Sequence, residues 1–221
     1  MDELELLKKD WQSREQKLPK LSYEDIYKML LKKSSSIVKW IFYISIGEII
    51  LWTLLSIILP QISENFSIST TINDELGLHN ILIVANTINY IIFIGFIYIF
   101  YKNHRLIKVT DSLKELMKNI LKTRKAVKYF VIYNVGANAL FMLSMNIYYY
   151  FNKDELFKVI SQNYEGLEAV SKESFSSVFF ISQLVVGLLF IGFILVFYRI
   201  IYGILLKRLQ RNYKELKKIE M

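Results

Sequence analysis

The chain has 221 residues, 53% of them hydrophobic and 15% aromatic, yet 22% are charged and the formal net charge is +8. A mean hydropathy of +0.31 in so charged a chain requires apolar and charged residues to be segregated into blocks, as in membrane spans separated by wet loops. The absence of cysteine excludes disulfides, thiol nucleophiles, iron–sulfur clusters and Cys-based zinc sites.

In chain order, the N-terminal segment 1–36 opens on acidic residues, and the first long apolar run begins near Ile37, so no cleavable signal peptide is expected. Leu4, Leu7 and Trp11 form a short apolar stripe, Pro19 interrupts it, and 22–33 reads as a helix entering the first span. A bilayer core needs about 20 mostly apolar residues in a helix, and four segments qualify: 37–59, 81–101, 129–151 and 178–206. Pro60 is expected to close the first, having no N–H to donate. Between the first two spans, 61–79 is rich in Ser, Thr and Asn and reads as a loop.

Between the second and third spans, Val109, Leu113, Leu116 and Ile120 recur at helical spacing, with Ser112 and Glu115 placed as a capping box, which predicts a loop helix over 109–125. Leu156, Ile160, Tyr164 and Leu167 predict another over 154–170. The fourth apolar run is overlong, so its last turns should emerge into water and continue as a helix over 207–221, where Leu206, Leu209, Tyr213 and Leu216 keep the stripe.

Basic residues settle the expected orientation. Of the 28 Lys and Arg, three lie in the two loops at 61–79 and 152–176, and the other 25 lie in the N-terminal segment, the middle loop and the tail. Short basic loops stay cytoplasmic, so both termini are expected inside. The fold class that follows is all-α: a four-helix transmembrane bundle, N-in and C-in, with basic amphipathic cytoplasmic helix extensions. Trp40, Tyr101, Tyr129, Tyr198 and Tyr202 fall near inner boundaries and Tyr148, Tyr149 and Tyr150 near an outer one, as an aromatic belt would. The charge is thus accounted for by the membrane, and no nucleic-acid partner is expected. The wet apolar stripes have three readings: they pack on one another as a small bundle, lie on anionic headgroups, or bind a protein partner or a second copy of the chain.

Glu48 falls at the midpoint of the first span, where an ionised carboxylate costs at least ~2.5 kcal/mol on insertion scales. Asn89 and Asn138 fall near the centres of the second and third spans, with Asn86 and Asn134 one turn away, so these five residues form a candidate intramembrane polar cluster. One reading is a proton or cation relay or a ligand site. The other is a protonated Glu48 hydrogen-bonded to asparagine amides as interhelical glue. Gly136 with Ala137, Gly187 and Gly192 read as positions where helix backbones approach closely, and Gln183 as a further hydrogen-bonding group. His79 and His104 flank the second span, roughly 37 Å apart at about 1.5 Å per residue, and cannot share a metal. No catalytic motif is present, so no catalytic residue, metal or cofactor is expected.

The runs Glu5-Leu6-Leu7-Lys8-Lys9-Asp10-Trp11 and Lys32-Lys33-Ser34-Ser35-Ser36-Ile37-Val38-Lys39-Trp40-Ile41 resemble uncharacterised multi-span membrane proteins of flavobacteria, sometimes labelled beta-carotene oxygenases. That label implies an iron held by four histidines, and two are present here. The resemblance therefore implies a bacterial inner-membrane location without an activity. The expected function is a non-enzymatic, multi-pass inner-membrane protein presenting cytoplasmic helices to a partner or to lipid. The alternative is a small transporter or proton-coupled channel subunit using Glu48.

Overall fold

In a computed structural model, described for residues 5, 22–108, 110, 112–163 and 170–220, six helices follow one another: α1 (Tyr23–Ile62), α2 (Glu64–Glu75), α3 (His79–Lys108), α4 (Leu113–Phe151), α5 (Lys153–Asn163) and α6 (Lys172–Glu220). Four of them, α1, α3, α4 and α6, are long and apolar enough to cross a membrane. The stripe at Leu4, Leu7 and Trp11 and the positions Val109, Tyr164 and Leu167 lie outside the described residues.

The four long helices pack in the order α1, α3, α4, α6, with α6 returning to α1. At one end they run on well beyond a bilayer core. α6 has 49 residues, about 73 Å of helix at 1.5 Å per residue, against a core of about 30 Å. The sequence treats 109–125 and 129–151 as separate helices, but α4 carries both without a break. Between them stand Ala126, Val127 and Lys128 with no Gly or Pro, so nothing interrupts the backbone ladder. Ser22 starts α1 with a complete capping box, its Oγ accepting from the Asp25 N–H at 3.1 Å while Asp25 accepts from the Ser22 N–H at 3.3 Å. Ser112 supplies one half of such a box to α4, accepting from the Glu115 N–H at 3.2 Å.

The core has a coiled-coil rhythm. Buried residues on α4 are Leu116, Ile120, Thr123, Val127, Phe130 and Asn134, alternating steps of four and three, which gives a straight seam on a slightly supercoiled helix. Ile107 on α3 and Leu209 and Leu216 on α6 join the same cluster and are fully buried. Among the described residues, the stripes around Leu116 and Leu209 are therefore buried within one core. Phe130 is the hub, with ring centroids of Phe93, Phe96, Phe100 and Tyr202 between 5.1 and 5.6 Å away, mostly edge-on. Some polar residues inside this portion are paired with distant segments: Asn212 donates to Ser34 Oγ at 3.0 Å, and the Tyr27 hydroxyl donates to the Thr110 carbonyl at 3.0 Å, whereas the buried Asn103 Nδ2 has no partner among the described residues.

Two sequence expectations change at the other end. Pro60 lies inside α1, two residues before its end, because near a terminus only one backbone bond is lost. The segment read as a loop contains α2. Its hydroxyls, which suggested a loop, bond back to their own helix: Thr70 Oγ1 donates to the Ser67 carbonyl at 2.6 Å. α2 ends in a Schellman turn, with Leu78 N–H on the Asn73 carbonyl, Gly77 N–H on the Asp74 carbonyl, and Gly77 at φ +71. Leu78 and Ile72 then pack with Leu76, Tyr149, Leu156 and Ile160 into a second, smaller core. Lys172 pairs with Asp154 across this end, and that hydrogen bond and charge hold the Asp154 carboxyl below its ordinary range.

Candidate functional site

The two cores leave a gap between them. Beyond Glu48 on α1, before Phe93 on α3, between Asn134 and Tyr149 on α4, and before Ile194 on α6, no residue is buried among those described. The bundle is tight in its basic half and opens beyond that half into a cavity of about 450 Å³. The second core closes it at the far end, where the hydroxyls of Tyr148 and Tyr149 donate to the Leu76 carbonyl at 2.7 Å and to Asn73 Oδ1 at 2.6 Å. These two bonds tie the α2–α3 turn over the bundle.

All five residues of the candidate cluster line this cavity: Glu48 from α1, Asn86 and Asn89 from α3, Asn134 and Asn138 from α4. The structure does not join them by hydrogen bonds to Glu48. Asn134 and Asn138 donate to carbonyls one turn back on α4, those of Phe130 at 2.9 Å and of Asn134 at 2.8 Å, and Asn89 Oδ1 accepts from Tyr133 at 2.9 Å. The Asn134 and Asn138 amides are thus engaged on their own helix and Asn89 with α4, none of them with Glu48.

Glu48 is held instead by α6. The Tyr198 hydroxyl donates to Oε1, and the Tyr202 hydroxyl donates to Oε2 at 3.2 Å. The two tyrosines stand one helical turn apart, so both hydroxyls leave α6 on one face and meet one carboxyl. Glu48 is 5% exposed, Tyr198 4% and Tyr202 1%. The sequence reading put both tyrosines in an interfacial belt. Trp40, Tyr101 and Tyr129 do face outward, whereas Tyr198, Tyr202 and Tyr149 turn inward. Their four-residue spacing was the available signal, but the apolar run around them is too long for its midpoint to be read, so their depth relative to Glu48 was not.

An ionised carboxyl offers about four lone-pair sites, and the tyrosines fill two. Glu48 is the sole acidic or basic side chain among the residues lining the cavity, whose walls are otherwise amide, aliphatic and aromatic, the last including Trp52, Tyr90, Phe190 and Phe193. Trp52 and Phe190 meet edge to face at 6.0 Å, and Tyr90 shares a hydrogen bond with Thr53 at 3.1 Å. The site can accept a proton or an N–H at the carboxyl, and a cation or flat apolar group on the rings. Among the described residues no three His, Asp or Glu come together, and His79 and His104 stand at opposite ends of α3.

The remaining small and polar positions divide. A side chain at Gly187 would collide with Met142, whereas one at Gly136 or Gly192 would meet nothing within 4 Å. Close packing thus explains Gly187 alone of the three. Gln183 Oε1 is enclosed and has no partner among the described residues.

Fold and site together define a helical membrane-protein architecture, four apolar helices closed around a carboxyl-floored cavity. The chain belongs to the family described as Domain of unknown function (DUF8845), whose model matches residues 24–221. Comparison with curated proteins and with solved structures finds no match.

Proposed function

We propose that the chain is a small-solute binding and transport protein of a bacterial inner membrane, with both termini inside, and that its solute is an amphipathic organic cation exchanged against a proton on Glu48. The observation that carries the reading is the cavity itself: about 450 Å³, lined from four helices, with one carboxyl as its only acidic or basic lining group and aromatic rings among its walls. A protein interior packs densely unless something occupies the space, and a carboxyl in hydrocarbon is costly unless paired or used. An incoming cation replaces the carboxyl proton, so the charge of the site is conserved as the solute enters. The lopsided basic loops and the flavobacterial resemblance support the location and orientation. Leu116, Ile120, Leu209 and Leu216 are fully buried within the chain, so these two stripes offer no apolar face to a partner.

Trp52 lines the cavity and serves as a reporter. Tetraphenylphosphonium added to the reconstituted protein should quench its fluorescence saturably, and Trp52→Phe should remove the signal. Glu48→Gln should weaken binding about tenfold or more, in line with loss of a desolvated charge partner, and the anion tetraphenylborate should not compete. Equal binding to wild type and Glu48→Gln, or competition by the anion, would overturn the reading.

A further inference from the structure

Behind Tyr198, on the outer surface of the bundle, lies a second hollow. A groove of about 480 Å³ runs between α4 and α6, lined by Tyr198 and Gly203 and by apolar residues such as Val131 and Leu195. Two charged side chains line it, Lys128 and Arg199, and both are positive. Each is exposed, and neither has an ion-pair partner among the described residues.

The position of these two residues along their helices is as informative as their sign. Lys128 is the last basic residue of α4 before the chain runs to Lys153 without another, and no Lys or Arg lies between Lys172 and Arg199 on α6. Both therefore mark the level at which hydrocarbon gives way to lipid phosphate. Beyond Arg199 the groove wall continues as Leu195, about one turn or 6 Å deeper. A hollow with cations at phosphate depth and an apolar floor running toward the bilayer centre matches a phospholipid, headgroup at one end and chain along the other. Basic pockets between helices at this level recognise anionic headgroups.

We propose that the α4–α6 groove binds one anionic phospholipid, its phosphate held by Lys128 and Arg199 and an acyl chain laid along Val131 and Leu195. A free phosphate would use the two cations but leave the apolar length of the groove empty. A zwitterionic lipid would fill the groove but cancel the attraction with its own ammonium. Tyr198 and Tyr202, the two partners of Glu48, also line this groove, whereas Glu48 itself does not.

Gly203 provides the test. A Cβ added there meets nothing within 4 Å, so the side chain of Gly203→Leu leaves the backbone unobstructed and extends into the groove. The full chain is purified with a mixture of phosphatidylglycerol and phosphatidylcholine, and bound lipid is counted by native mass spectrometry. Wild type should retain one phosphatidylglycerol in preference to phosphatidylcholine. Neutralising one cation should reduce that preference about fivefold, and Lys128→Gln with Arg199→Gln about 25-fold. Gly203→Leu should lose the retained lipid with its helical circular dichroism unchanged. If Gly203→Leu does not fold, the charge variants and Gly203→Ala, which shortens residence of the lipid, decide. Equal retention of both lipids by wild type, an unaltered preference in the double charge variant, or a folded Gly203→Leu that keeps its lipid would overturn the proposal. So would binding of glycerol phosphate as tight as that of the lipid, which would make the groove a free-anion site.

Discussion

Replacing Glu48 with Leu removes the acceptor for two hydroxyls, and the two are not equivalent. Tyr202 is 1% exposed, so its orphaned O–H has no water to turn to, and an unpaired buried donor costs about 1–3 kcal/mol. Tyr198 lines the cavity, where its hydroxyl can find a substitute. Glu48→Leu should therefore destabilise the bundle by roughly 1–3 kcal/mol, whereas an interhelical hydrogen bond lost from the donor side, as in Tyr202→Phe, should cost only about 0.6–1.7 kcal/mol. Adding Tyr202→Phe to Glu48→Leu should then restore about 1 kcal/mol, because it removes the orphan while keeping the ring packed on Phe130 at 5.6 Å. Adding Tyr198→Phe instead should restore less. The assay is a double-mutant cycle in bicelles, with unfolding followed by steric trapping or by loss of ellipticity. If Tyr202→Phe costs the same in the wild-type and Glu48→Leu backgrounds, the two side chains do not interact and the geometry described for the site is wrong.

Two further outcomes follow from the fold. Single cysteines at Ser69 and Ser171 should react with an impermeant thiol reagent in intact spheroplasts while cysteines at Ser13 and Ser112 stay unlabelled; labelling of the second pair alone would invert the orientation. Leu116 and Leu209 are fully buried in the basic end of the bundle, so Leu116→Asp and Leu209→Asp should each cost about 3–5 kcal/mol or more there. Limited proteolysis should cut that end faster while the spans stay inserted, and unchanged cleavage of both variants would show that the wet helices do not depend on each other.

The sequence by itself determined the class of protein and the ingredients of the site. Four bilayer-length apolar runs cannot be accommodated otherwise than as helices when every backbone polar group must be satisfied within the segment. The lone carboxylate in the first run is conspicuous for its cost. Stripes such as Leu116, Ile120, Leu209 and Leu216 were equally legible, because helical periodicity is local information. What covered those stripes was not, since a face made to pack on a helix looks the same as one made for lipid. The same limit hid the partners of Glu48. Tyr198 and Tyr202 read as belt residues facing lipid until α6 was set beside α1, where both turn inward onto Glu48. Helix α2 was missed for a related reason: its polar composition is loop-like, and it is held by bonds to its own backbone, by the turn at Gly77 and by packing of Ile72 on residues distant in sequence. The cavity and the groove belong wholly to tertiary structure. Each is a space between helices, and its size follows from where four rods separate, which no single run of residues encodes.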